Sequence, residues 1–249
     1  FMFNDLKSII AIPARLESSR LPNKLIADIN GKPMIRRVIE RCKEVKNCSQ
    51  IFLCTDSQKI ADIGKNLNVK TIITSKEISS GSERIYSVLD KIIQNIYDIN
   101  INEINSEIKE KILKSLLIVN VQGDQPFIEK KVIEEMIEFF NNNKGKNQVI
   151  TPTYKLKKDA IFNPNVVKLV LNHLNQVIYF SRSPIPYVRG IENNEWHKKF
   201  NFWGHVGIYG YRGDVLFNWD SYRKSNLENV ECLEQLRLIQ EGVVFDTFK

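Results

Sequence analysis

The chain has 249 residues, 43% of them apolar and 26% charged, a balance that excludes a disordered or fibrous protein and suits one domain with a smaller lobe. Lys and Arg exceed Asp and Glu by 36 to 29, a net charge of +7; a lysine-rich solvated surface is the plainest explanation and a polyanionic substrate the functional one. No stretch approaches the length of a membrane-spanning apolar helix, and Phe1-Met2-Phe3 is too short for a signal-peptide core, so no membrane partner and a cytoplasmic location are expected.

Strand and helix signals alternate through the first half. Ile9–Ile12 reads as a buried strand, and Pro33 opens a helix whose Met34, Ile35, Val38, Ile39, Cys42 and Val45 recur at helical spacing. Ile51–Cys54 is a second strand, ending at Thr55-Asp56-Ser57, a polar cap for a helix over 59–67. Strands at 69–73 and 116–121 and a helix starting at Gly81-Ser82-Glu83-Arg84 continue the rhythm. Such alternation predicts a parallel, doubly wound α/β sheet, with a ligand crevice outside the carboxyl ends of the strands. The polar stretches at 13–24, 55–57, 75–84 and 122–126 all follow strands and are expected to converge there.

Residues 98–114 read as an extended surface helix, an insertion without chemistry. Residues 149–189 read as antiparallel, with 166–171 and 176–180 flanking the turn Asn172-His173-Leu174-Asn175, followed by the proline-stiffened loop 183–187. This lobe, taken as 149–200 within a single domain spanning 1–249, is expected to close the site, support a dimer, or both. Gly204–Arg212 alternates like one strand. Leu227–Gln240 reads as one amphipathic helix with Leu227, Val230, Leu233 and Leu236 on its buried stripe and Glu234, Gln235 and Arg237 on its solvated face. Cys42, Cys48, Cys54 and Cys232 form no metal-binding pattern and are expected as reduced, buried or half-buried thiols.

Two stretches carry the strongest chemical signal. The loop after the first strand, IPARLESSRLPNK, is cationic and lacks glycine, so a phosphate there would be gripped by arginine and lysine side chains rather than wrapped by backbone. Val121-Gln122-Gly123-Asp124-Gln125-Pro126 places a carboxylate just past an apolar strand, a setting for Mg²⁺, which favours one or two carboxylates plus substrate phosphates. A solvated loop and a plain turn are the competing readings of these two stretches.

The ordered set IPAR-x-x-S-S-R-LP-x-K, INGKPMI-x-R-V-x-ER, SGSER-I, VNVQGD-x-P, FSRSPIPY-x-R, HVGIYGYR and LE-x-x-E-x-LEQLR closely resembles the 3-deoxy-manno-octulosonate (Kdo) cytidylyltransferases over about residues 8–242. That resemblance implies a Rossmann-like, three-layer nucleotidyltransferase fold with a mostly parallel mixed sheet and a small antiparallel dimerisation or lid lobe. It implies a homodimer that couples CTP with Kdo, using Mg²⁺, to give CMP-Kdo and pyrophosphate for lipopolysaccharide biosynthesis. Arg15 and Lys24 match the triphosphate-holding positions, with Ala14 and Arg20 in the same loop. Asp124 matches the metal ligand, and these three, Arg15, Lys24 and Asp124, are the implied catalytic set. Ser80 and Arg84 match the cytosine-reading segment, and Gln122 lies between nucleotide and sugar. Arg182, Arg189, His205, Tyr209, Glu234 and Gln235 match the sugar-binding positions.

The chain departs from the family pattern twice. Gln125 stands where the family usually has Glu, a change expected to have a modest effect. The family also carries, beyond the LEQLR helix, a strand and then a Gly-(Val/Ile)-Asp-Thr-Pro-Glu-Asp-Leu segment with a second metal ligand. Asp246-Thr247 follows Gly242 too soon to be that segment, so 243–249 is expected to be the intervening strand, with the ligand segment outside the given residues. A protein truly ending there is expected to bind magnesium weakly, as a catalytically impaired homologue. Two further readings compete with the Kdo assignment: activation of a related 2-keto sugar acid, such as 8-amino-Kdo or a sialic acid, and a nucleic-acid-binding module. FSRSPIPY and HVGIYGYR favour Kdo over sialic acid. No aromatic-interleaved basic strand or zinc module supports the nucleic-acid reading.

Overall fold

The computed structural model describes residues 5–18 and 21–249. The chain divides into two compact units, Phe1–Lys146 with Ile208–Trp219, and Asn147–Gly207 with Asp220–Lys249.

The first unit begins with β1 (Lys7–Ala14), in which every residue but the first is buried, as a strand covered on both faces requires. A two-rung ladder, β2 (Asp28–Ile29) with β3 (Lys32–Pro33), turns through Asn30 and Gly31, both at positive φ. Helix α1 (Met34–Lys43) follows, burying Ile35, Val38, Ile39 and Cys42; Pro33 is its cap residue rather than its first helical residue, because its ψ of 144° is extended. Then come β4 (Gln50–Thr55) and α2 (Gln58–Asn66), whose Ser57 hydroxyl accepts the Ile60 N–H as the sequence suggests. After β5 (Lys70–Ile73), α3 (Gly81–Tyr86) is capped in the same way by Ser80, which accepts from Glu83 N–H.

The insertion differs from expectation. Helix α4 (Leu89–Tyr97) ends at Asp98 in the left-handed region, and a second helix, α5 (Ser106–Lys114), starts only at the Asn105 cap. Residues 98–105 are therefore not helical, and Ile101, Ile112 and Leu113 are buried rather than displayed. Strand β6 (Leu116–Asn120) is wholly buried, and α6 (Lys130–Asn142) lays Ile133, Met136, Ile137 and Phe140 on the core at helical spacing.

The second unit starts with β7 (Val149–Lys155), then β8 (Lys168–Leu171) and β9 (Val177–Ser181), paired antiparallel around the predicted turn with Asn175 at positive φ. The short helix α7 (Trp196–Lys199) brings Trp196 onto Leu156, Ile161 and Phe202, a small core of its own. The stretch 204–212 is two strands, not one: β10 (Trp203–His205) belongs to the second unit and β11 (Tyr209–Arg212) to the first. Gly207 breaks them, with a φ of +79° that a side chain would disfavour. Helix α8 (Gly213–Phe217) completes the first unit.

Leu227–Gln240 is also broken, into α9 (Asn226–Glu231) and α10 (Gln235–Gln240), because Cys232 takes a left-handed conformation between them. The predicted stripe fails accordingly. Leu233 and Leu236 are buried, but Val230 is 83% exposed, and Gln235, placed on the solvated face, is buried. Cys232 is exposed, unlike Cys42 and Cys54. Strand β12 (Phe245–Phe248) lies parallel to β7, as the strand reading of the last residues expects.

Sheet order in the first unit is β5-β4-β1-β6-β11, parallel except for antiparallel β11, with helices on both sides of this mixed, mostly parallel sheet. In the second unit the order is β7-β10-β8-β9, antiparallel throughout, with β12 beside β7. Among the described residues no helix is long and apolar enough to cross a membrane.

Candidate active site

In the first unit the loops after β1, β5 and β6 converge on a cleft of about 600 Å³ at the carboxyl ends of the strands. Arg15, Lys24, Ser80, Arg84, Gln122 and Asp124 line it. Ala14 is buried at the end of β1, beside Gly123. Arg20 lies outside the described residues. A second cleft of about 520 Å³ shares Arg15 and is walled by Asp56 and the α2 start with Lys59 and Lys76.

The described residues of the loop after β1 are held by hydrogen bonds rather than by glycines. Leu16 N–H donates to Asp56 Oδ1 at 3.0 Å, and the Ser18 hydroxyl both donates to Leu21 O and accepts from Leu21 N–H. Arg15 is exposed and makes no hydrogen bond or ion pair to a described residue, so its fork is free for an anion. Lys24 Nζ meets Asp124 Oδ2 at 3.2 Å, an exposed pair whose own contribution to stability is small.

Asp124 is placed by the turn after β6. Gly123 N–H donates to Pro13 O at 3.1 Å, and Gln125 Oε1 accepts the Gln122 N–H at 3.1 Å. The residue that departs from the family pattern thus closes this turn through an oxygen that a glutamate would also supply. Gln122 Nε2 donates to Asn120 Oδ1, and its carboxamide lies so close to Gly81 that a β-carbon there would stand 2.5 Å from Nε2.

Arg84 is buried, and its guanidinium donates to Thr74 Oγ1, to Ser75 O at 3.1 Å and to Ile78 O at 2.7 Å, with Asp56 Oδ2 at 3.9 Å. Burial holds its pKa below the usual arginine value, with the Asp56 charge opposing that shift. Arg84 therefore fixes the 74–78 loop on one side of the cleft. Its partner Asp56 escaped the sequence reading except as part of a helix cap; its place just past β4 was the available signal.

Tyr209 sits on β11 opposite Asn120, its ring stacked on Tyr211, and is not among the residues lining the first cleft. The remaining predicted residues belong to the second unit. His205 Nε2 is 2.9 Å from Thr151 Oγ1, and the Phe180 ring packs edgewise at 4.9 Å. Desolvation pushes its pKa down to about 3, so the imidazole is neutral at physiological pH. Glu234 caps α10 and Gln235 begins it. Arg189 is exposed, without a hydrogen bond or ion pair to a described residue. Arg182 instead spends Nε, Nη1 and Nη2 on the carbonyls of Glu231, Pro164 and Cys232.

No cluster of three or more His, Cys, Asp or Glu among the described residues is arranged to hold a metal. Among the described residues lining the cleft, Asp124 is the one carboxylate, beside cations suited to phosphate. This donor set fits a Mg²⁺ shared with phosphate oxygens and does not fit a cage made of protein alone. Asp246 accepts from Asn147 Nδ2 at 2.9 Å and Gln176 Nε2 at 3.2 Å, so both its oxygens serve the second unit.

The profile of the cytidylyltransferase family matches residues 9–245. The chain belongs to that family. Within it, the 3-deoxy-manno-octulosonate cytidylyltransferase of Thermodesulfovibrio yellowstonii is 35% identical over 95% of this chain and 87% of its own. The protein of the same name from Francisella tularensis subsp. holarctica is 39% identical over 94% and 86%. A solved structure of a CMP:2-keto-3-deoxy-manno-octonic acid synthetase complexed with CTP superposes with a TM-score of 0.80 at 33% identity, covering 97% of this chain and 89% of that one. The resemblance read from the motifs is borne out.

Proposed function

We propose that this cytidylyltransferase transfers CMP from CTP to Kdo, giving CMP-Kdo and pyrophosphate and so activating Kdo for lipopolysaccharide assembly. The observation that carries the reading is the convergence of Arg15, Lys24, Ser80, Gln122 and Asp124 on one cleft, in a chain whose relatives bear that activity by name. Arg15 and Lys24 grip the triphosphate by charge, and Arg20 belongs to the same loop. The backbone beside Ala14, with Ser80 and the loop that Arg84 fixes, receives the cytosine.

The anomeric 2-hydroxyl of Kdo attacks the α-phosphorus in line. The new O–P bond forms as the bond to the bridging oxygen breaks, pyrophosphate leaves, and the hydroxyl proton passes to solvent. Such a transfer needs little covalent help and gains mostly from positioning and charge stabilisation. Asp124 would hold Mg²⁺, which supplies positive charge against the phosphates when bound. Gln122, Arg189, His205, Tyr209, Glu234 and Gln235 are assigned to the sugar. A neutral His205 serves that role as a hydrogen-bonding group rather than a proton carrier.

The finer assignments are a cytoplasmic homodimer, with residues 149–200 as a lobe for dimerisation or closure. Leu174, Ile178 and Tyr187 are exposed apolar side chains on that stretch, which supports a subunit contact there. Light scattering of the purified protein tests the dimer. Pyrophosphate release from CTP and Mg²⁺, compared with Kdo, with a sialic acid and with no sugar, tests the reaction. Release specific to Kdo is expected, and equal release with sialic acid overturns the substrate assignment.

A further inference from the structure

Arg182 and Glu231 meet at the break between α9 and α10. At Cys232 the backbone enters the left-handed region, which costs free energy for any residue with a β-carbon. There Leu233 N–H turns back to the Glu228 carbonyl, and the chain restarts as α10 with Glu234 at its cap. A conformation of this kind persists where its surroundings over-determine it.

Two clamps do so. On one side Arg237 makes a bidentate pair with Glu228, at 2.8 and 2.7 Å. On the other, Arg182 Nε–H donates to Glu231 O at 2.7 Å, Nη2 to Cys232 O at 3.3 Å and Nη1 to Pro164 O at 3.1 Å. The Glu231 carboxylate reaches back, accepting from the Ser181 hydroxyl at 2.6 Å, from Arg182 N–H at 2.9 Å and from Tyr179. Lys168 is buried nearby, its ammonium on the carbonyls of Asn163 and Val166. Strand β9 and the end of α9 are thus stitched through one charged pair, each member bonded to the other's backbone.

We propose that Arg182 and Glu231 are positioning residues: together they lock the elbow at Cys232 and so aim Glu234 and Gln235 at the sugar acid. The proposal rests on the Kdo reaction assigned to the site. All three guanidinium nitrogens of Arg182 face main-chain carbonyls, so its charge is spent on the fold and the substrate carboxylate falls to Arg189. Glu231, not singled out in the sequence, supports Glu234 and Gln235 through its contacts with Ser181 and Arg182.

The test combines steady-state kinetics with amide hydrogen exchange on Glu231→Ala and Arg182→Lys. Glu231→Ala is expected to raise the KM for Kdo about 10- to 100-fold, as misplacement of substrate-contacting groups does, and to leave the KM for CTP within about twofold. Exchange at the Leu233 and Arg237 amides should quicken in both variants, because alanine removes the carboxylate that holds β9 and a lysine's point-like ammonium does not reproduce the spread of the guanidinium fork. The double variant should be little worse than either single one, since both act through one elbow. If Glu231→Ala fails to fold, Ser181→Ala loosens the same carboxylate and should give a smaller rise in the KM for Kdo. An unchanged KM for Kdo in Glu231→Ala, or wild-type binding in Arg182→Lys, overturns the proposal. If the wild-type protein turns over no Kdo, the assigned reaction fails, while exchange still decides the elbow: unchanged protection overturns it and lost protection supports it.

Discussion

Lys24 Nζ stands 3.2 Å from Asp124 Oδ2, joining the loop after β1 to the turn after β6 across a sequence separation of 100 residues. In the proposed reaction this contact gives way: Lys24 turns to phosphate, and Asp124 is freed to take a cation. The pair keeps two opposed charges matched until substrate arrives, and its exposure means that breaking it costs little.

Replacing Asp124 with Ala should therefore abolish turnover, a loss of at least about 10³-fold, since charge stabilisation carries most of a phosphoryl transfer. Thermal unfolding should move by no more than a few degrees, because the side chain is exposed and half of a weak pair. Melting curves and pyrophosphate release measured on one preparation check both halves. Near-normal turnover would refute the metal role.

Gly81→Ala should weaken CTP use. Its methyl carbon would stand 2.5 Å from Gln122 Nε2, and the nearest atoms it meets all belong to that side chain, so Gln122 must swing away from Asn120. The expected result is a KM for CTP raised about tenfold, roughly 1.4 kcal/mol, with melting near wild type. An unchanged KM with a lowered melting temperature would show that Gly81 serves packing alone.

His205 predicts a pH dependence with a definite sign. Its folded pKa is pushed down to about 3 from a reference of 6.5, so above pH 6.5 the imidazole is neutral in both states and contributes no slope. As pH falls below 6.5 the unfolded chain takes up the proton first, and stability is lost progressively toward pH 3. At pH 5 the loss is on the order of 2 kcal/mol. Denaturant melts at pH 7.5 and pH 5 should show wild type losing more stability than His205→Asn; parallel losses would contradict the assignment.

Thiol chemistry should single out one cysteine of the four. Cys42 and Cys54 are buried and their pKa values are raised by desolvation, that of Cys54 to about 12, while half-buried Cys48 is raised to about 11. Cys232 is exposed, at the elbow. A disulfide reagent on native protein should label Cys232 rapidly and the rest only after unfolding. Rapid labelling of Cys42 or Cys54 would contradict the packing.

The α/β rhythm of the first unit was legible because buried parallel strands leave uninterrupted apolar runs, as at Ile9–Ile12, and because Thr55-Asp56-Ser57 announces its helix as a cap. The cleft was legible for the same topological reason: polar loops that follow parallel strands must emerge on one edge. The breaks were not. Cys232 and residues 98–105 interrupt helical periodicity without glycine or proline, and nothing local in ENVECLEQ signals a residue held left-handed by Arg182, 50 residues away. Gln235 looked solvated because periodicity assigned a face to a helix that the elbow re-aims. Arg84 and Asp56 show the same limit: the resemblance implied a nucleotide contact for Arg84 and the sequence a cap for Asp56, while their partners come from the 74–78 loop and from Leu16.

The most direct test of the assigned function is mass spectrometry of the products formed from CTP, Mg²⁺ and Kdo under conditions that protect a labile sugar nucleotide. The expected result is a CMP–Kdo conjugate appearing in equal amount with pyrophosphate, absent without Kdo and absent with Asp124→Ala. Pyrophosphate formed at the same rate without Kdo, or no conjugate from protein that binds CTP, would contradict it.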